Sequence, residues 1–243
     1  MNKDLKHYAA FIFFQGARIV LATLAMAVLA RYLGPVGLGR WTLITAAATL
    51  FHLLSVNWLQ QDSFLRFAKR EWARHETVRH TWGARIPLAL CSSAIMVIVF
   101  ALVPKGWFQY LFPLVGMEWI LAAGFFFSLL ISIECQTFLQ IIGAMPRLAL
   151  GPALIALLLA PFYIALWASP LQVYRLGISF AGTVIITITT WIILVAPKIT
   201  FSIKRISWDR ELAGEIFSFA WPILPSTMLG YIVTGKQIGR AHV

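Results

Sequence analysis

Residues 8–30, YAAFIFFQGARIVLATLAMAVLA, decide the fold: an unbroken apolar run whose single charge is Arg18. About 20 apolar residues of α-helix cross the hydrocarbon core of a bilayer. The run is long enough, and Lys3 and Lys6 stand before it. A basic start followed by an apolar stretch is also how a secretory signal begins. Here the stretch leads into Arg31-Tyr32-Leu33-Gly34-Pro35 and offers no small-residue cleavage pattern, so it reads as a retained first helix.

Working outward, apolar runs recur along the chain. They predict helices near 8–30, 39–59, 82–103, 117–141, 148–169, 172–196 and 213–233. Turn residues punctuate them. Gly34, Pro35, Gly37 and Gly39 form the first connection; Pro104, Lys105 and Gly106 close the third helix. Gly143 and Pro146 divide the fourth from the fifth, and Ser169 and Pro170 the fifth from the sixth. The expected fold class is all-α, a polytopic membrane helix bundle. Composition agrees: of 243 residues, 60% are hydrophobic and 12% charged, about half the charged share of a soluble domain.

The net charge of +11 does not point to nucleic acid. The basic residues sit in short connections between apolar runs, which is the pattern of membrane topology. One set of connections holds Lys3, Lys6, Arg66, Lys69, Arg70, Arg74, Arg79, Arg147, Lys198, Lys204, Arg205 and Arg210; the other holds Arg31, Arg40 and Lys105. Twelve against three places the N-terminus in the cytoplasm. The opposite loop, 104–119, carries Trp107, Phe108, Tyr110, Phe112 and Trp119, an interfacial aromatic belt. The segment 60–80 reads as a cytoplasmic extension of the second helix, lying partly along anionic headgroups.

Polar residues inside the spans are the candidates for function, because a charge in hydrocarbon costs several kcal/mol unless it faces protein or water. Residues three or four apart share a helix face. The first helix carries Gln15 and Arg18; the second Thr42, Thr45, Thr49 and His52, with Asn57 near its end. The fourth carries Ser128, Ser132, Gln136 and Gln140; the sixth Arg175, Ser179, Thr183, Thr187 and Thr190. Each stripe has a plain alternative: hydroxyls bonded back to the helix, small residues packed closely, Arg85 and Arg175 snorkelling from helix ends. Together the stripes suggest a hydrated cleft whose fixed charges are mostly positive, suited to a phosphate or acidic sugar. The cleft candidates are Gln15, Arg18, Thr45, Thr49, His52, Arg85, Gln136, Arg175 and Thr183.

No catalytic constellation appears. Glu134 and Glu215 are isolated, Cys91 and Cys135 lie in apolar segments, and neither metal-ligand spacing nor a Walker A pattern is present. The chain is therefore expected to be a non-enzyme without cofactor or bound metal. Any driving energy would come from an ion gradient or from the substrate's own.

Ala30-Arg31-Tyr32-Leu33-Gly34-Pro35, followed by Gly37 and Gly39, resembles the first-loop signature of polysaccharide biosynthesis and export proteins. These are the Wzx-type oligosaccharide flippases of the MATE-like exporter superfamily. Gly16-Ala17-Arg18, Phe67-Ala68-Lys69-Arg70-Glu71 and Phe217-Ser218-Phe219-Ala220-Trp221-Pro222 extend the resemblance over nearly the whole chain. Val56-Asn57-Trp58-Leu59-Gln60 departs from the family's usual Asp-Leu-Gly-Leu-type step. The resemblance implies two six-helix lobes around a cleft that passes polyprenyl-pyrophosphate-linked glycans from the cytoplasmic to the outer leaflet of the bacterial inner membrane. Its implied partners are that glycan lipid, the bilayer, and polysaccharide polymerase or glycosyltransferase machinery. Residues 1–200 would form the first lobe, and 201–233 a cytoplasmic loop and the start of helix seven. Residues 234–243, ending Ile238-Gly239-Arg240-Ala241-His242-Val243, read as a non-native, adapter-like tail of a truncated sequence. Two alternatives stand beside this. One is a cation-coupled multidrug exporter of the same fold, which would want acidic cleft residues such as Glu134. The other is a membrane glycan ligase or polymerase, which would want a larger outer loop or an acidic cytoplasmic motif.

Overall fold

The computed structural model describes residues 3–59, 65–75, 77–102, 114, 116–167, 174–196 and 207–226. Every regular element among them is helical: α1 (Lys3–Ser55), a 3-10 turn (Asn57–Leu59), α2 (Leu65–His75), α3 (Arg79–Leu102), α4 (Met117–Ile141), α5 (Met145–Trp167), α6 (Arg175–Val195) and α7 (Arg210–Ala220). Five of these hold stretches long and apolar enough to cross a membrane: Ala9–Ser55, Arg79–Ile98, Met117–Ile141, Met145–Trp167 and Arg175–Val195. The all-α polytopic bundle is thus the observed class.

The first two predicted helices form one element, α1. Helical backbone continues through the predicted turn and fails only at Gly34, with φ 69° and ψ 177°. A positive φ is cheap for glycine alone. Pro35 follows without penalty, because the first residues of a new helical segment have no carbonyl to bond. The apolar stretches on either side, 9–33 and 35–55, each exceed the roughly 20 residues needed for a crossing.

The second predicted helix was also expected to run on through 60–80. Instead it stops at Ser55, and Leu59 N–H bonds the Val56 carbonyl at 3.0 Å in a tighter turn. The reason is burial: Trp58 and Leu59 pack with Ala84, Ala213, Ile216 and Ala220. α2 is then a separate amphipathic helix.

Between α4 and α5 the chain makes a Schellman closure. Gly143 takes φ 69°. Ala144 N–H bonds Leu139 C=O at 2.8 Å and Gly143 N–H bonds Gln140 C=O at 3.3 Å. α7 starts three residues earlier than predicted because Asp209 caps it, accepting from Leu212 N–H at 3.0 Å. The predicted seventh helix beyond residue 226, the tail 234–243 and most of the aromatic loop 104–119 lie outside the described residues.

Contacts divide the chain into two compact units, Met1–Ala48 with Leu114–Thr200, and Thr49–Pro113 with Phe201–Val243. In the first, α6 packs against both α4 and α5. Trp41 stacks on Phe180, ring centroids 3.9 Å apart, and Phe125 meets Phe180 edge-on at 6.0 Å. Gly151 accepts the face of Trp191, and Gly182 that of Phe162, at distances that leave no room for a Cβ. Small residues of this kind let membrane helices approach closely. In the second unit α3 packs on α7 and on α2.

Candidate functional site

In the first unit most of the predicted polar stripes resolve into intrahelical hydrogen bonds. Ser132 Oγ donates to Ser128 C=O at 2.7 Å, and Ser179 Oγ to Arg175 C=O at 2.6 Å. Thr183 Oγ1 donates to Ser179 C=O at 2.7 Å and Thr190 Oγ1 to Ile186 C=O at 2.7 Å. Ser128, Ser132, Ser179, Thr183 and Thr190 are all buried. Thr45 is half-buried and bonds Trp41 C=O at 3.1 Å and Thr42 C=O at 3.0 Å. A hydroxyl that donates to its own helix satisfies itself without water. The Thr183 hydroxyl has one proton, already used, so it accepts from Tyr163 Oη, 2.7 Å away. Tyr163 is a partner the sequence reading missed; only its spacing within the apolar fifth run could have signalled it. Gln136 is half-buried on α4.

Arg175 has a structural use. It opens α6, donates from Nη1 to Tyr32 C=O at 3.1 Å, and lies 5.2 Å from the Tyr32 ring centroid. Tyr32 sits just before the break at Gly34, where a helix end leaves carbonyls without intrahelical donors. A cation at that end meets both the orphan carbonyl and the negative pole of the helix. Arg40 and Glu118 make a second tie, Nη1 to Oε2 at 3.1 Å, with Glu118 in the first turn of α4.

Arg18 and Gln15 are brought together, Nη1 to Oε1 at 3.4 Å, one turn apart on α1. Arg18 is exposed, and its apolar neighbours Ile19 and Val20 are exposed with it. It is therefore the candidate that the first unit leaves available to a solute.

In the second unit, His52 and Arg85 lie close enough for the guanidinium charge to act on the imidazole. Both are nearly sealed from solvent, at 3% and 2% exposure. Thr49, one turn before His52, is half-buried. Arg85 belongs to the second turn of α3, and the sequence reading allowed it to snorkel; burial places it inside the protein instead. The start of α3 is fixed by Glu71 of α2, whose carboxylate accepts from His80 N–H at 3.0 Å, Thr81 N–H at 2.8 Å and Thr81 Oγ1 at 2.5 Å.

The second unit also holds a cavity of about 650 Å³ between α2 and α7, lined by Arg66, Phe67, Arg70, Gly214, Glu215, Ser218 and Phe219. In the sequence Arg66 and Arg70 counted among the charges of a helical extension lying partly along headgroups, with no shared site assigned to them. Their four-residue spacing on an amphipathic segment was the available sign of a shared face.

Among the described residues, five long apolar helices, with charged and amphipathic segments between them, define a multi-pass helical membrane protein. Searches of the chain against protein-family models, curated proteins and solved structures find no match.

Proposed function

We propose that the chain forms one lobe of a flippase that moves polyprenyl-pyrophosphate-linked oligosaccharide across the bacterial inner membrane by alternating access. The observation that carries the reading is Arg18, an exposed arginine within the apolar span Ala9–Ser55. A cation at that depth is not stable against lipid tails, so its face of α1 borders water or further protein. A water-lined face with a fixed guanidinium suits a diphosphate, which guanidinium binds in bidentate geometry. Buried Arg85 beside His52 adds a second positive centre within a spanning helix. The resemblance of residues 30–39 to the flippase first-loop signature supplies the substrate class. The charge bias of the connections puts the N-terminus in the cytoplasm, where the lipid-linked glycan is made.

The test is glycan export in cells that depend on this protein, at matched protein level in the membrane. Arg18→Ala is expected to abolish surface glycan while Arg18→Lys retains part of it, because the ammonium keeps the charge and loses the bidentate fork. Normal export by Arg18→Ala would remove the anion-site role.

A further inference from the structure

We propose that the α2–α7 cavity is a headgroup site for an anionic phospholipid of the leaflet beside which α2 lies. α2 begins ten residues after the span Ala9–Ser55 ends and finishes four residues before the span Arg79–Ile98 begins. A helix tethered so closely at both ends to consecutive spans stays at one membrane surface. It is also strongly amphipathic, with Arg66, Lys69, Arg70 and Arg74 exposed and Ala68 buried, the build of a helix at a membrane interface. α7 brings Phe217 and Phe219, exposed aromatics of the kind that settle at headgroup depth, and Trp208 and Trp221 flank it.

Within this surface one place is built for a phosphate. Arg66 and Arg70 stand one turn apart on α2 and both line the cavity, with Ser218 opposite on α7. The Arg66 guanidinium is held 5.3 Å from the Phe219 ring centroid, so part of its conformational freedom is already spent. Glu71, which follows Arg70, is not part of the cavity lining, and both its carboxylate oxygens are turned to the first turn of α3. Glu215 lines the cavity and offsets one positive charge, leaving a net excess of one. The depression is open on one side, with a volume of about 650 Å³, which leaves room for a headgroup while the acyl chains stay in the bilayer. Two guanidinium forks and a hydroxyl match a phosphodiester, and the aromatic rim matches the acyl–glycerol region beneath it.

The experiment is native mass spectrometry of the full chain in detergent, titrated with phosphatidylglycerol and separately with phosphatidylcholine. The wild type is expected to take up one phosphatidylglycerol ahead of any phosphatidylcholine. Arg66→Ala with Arg70→Ala should weaken that first event about tenfold, the scale of one charge-assisted hydrogen-bonded contact. Arg66→Gln with Arg70→Gln keeps most of each apolar stem and should weaken it similarly, which separates loss of charge from loss of packing. Lys69→Ala with Arg74→Ala removes two exposed cations outside the cavity and should leave it within about twofold, since solvated surface charge contributes little. Equal weakening by both pairs would show diffuse attraction and overturn the site. So would equal uptake of phosphatidylcholine, or displacement of the lipid by an equal concentration of inorganic phosphate.

Discussion

A single hydrogen at Gly151 sets how closely α5 and α6 approach. A Cβ built there would lie 2.5 Å from Cη2 of Trp191, and that ring is 1% exposed, with no free space to retreat into. Gly151→Ala is therefore expected to destabilise the protein by about 1–3 kcal/mol, the usual cost of overpacking. Gly16 is the control: it is also helical, and nothing lies within 4 Å of its would-be Cβ. Gly16→Ala should be neutral or stabilising by up to about 1 kcal/mol, since alanine is the better helix former. Unfolding in detergent, followed by circular dichroism, separates the two. Equal midpoints for both variants would mean that the α5–α6 contact is looser than the structure has it. Arg175 makes the same point for polar residues. Its charge was legible as a cleft candidate, but its donation to Tyr32 C=O spans 143 positions, and no local spacing announces such a bond.

At the scale of elements, the junction of α2 and α3 rests on one carboxylate. Glu71 takes two first-turn amides and one hydroxyl of α3, groups that otherwise have no acceptor in the helix. Glu71→Ala should cost about 1–3 kcal/mol, as loss of a cap whose donors are then left unsatisfied. Glu71→Gln should recover little, because an amide presents one acceptor where the carboxylate uses both oxygens. Hydrogen exchange at His80 and Thr81 is the direct readout: both amides should exchange faster in the variants, with α5 unchanged. Unaltered exchange would show that the amides do not depend on Glu71. Which elements the sequence revealed follows the same logic. α4, α5 and α6 came within three residues of their predicted ends, because a long apolar run bounded by turn residues leaves few choices. The break at Gly34 and the stop at Ser55 were placed less well. The first depends on one dihedral, and the second on Trp58 and Leu59 finding a core with α3 and α7. The serine and threonine stripes were located correctly in sequence, yet a stripe that lines water and one that bonds its own helix have the same spacing. Only the buried donors to Ser128, Arg175, Ser179 and Ile186 carbonyls distinguish them.

For the whole molecule, the governing quantity is which end of each span carries the positive charge. α1 alone, at about 1.5 Å per residue, would be roughly 80 Å long if straight, far beyond a hydrocarbon core of about 30 Å. Its break at Gly34 is thus where one crossing ends. With one crossing per span, the connection containing α2 and the one before α7 are expected on the side of the N-terminus, and Lys105 on the other. Arg66, Lys69, Arg70 and Arg74 make the α2 connection the most basic of the described ones. Moving it across would set those cations against the positive-inside bias. With Cys91 and Cys135 replaced by alanine, single cysteines at Arg74→Cys, Lys105→Cys and Arg210→Cys should report this with a membrane-impermeant maleimide. Position 105 should label in intact spheroplasts, and 74 and 210 only after permeabilisation. Labelling of position 74 from outside would invert the orientation. It would also carry α2, and the phospholipid site proposed on it, to the opposite leaflet, so this labelling pattern decides which leaflet's lipids reach that site in the membrane.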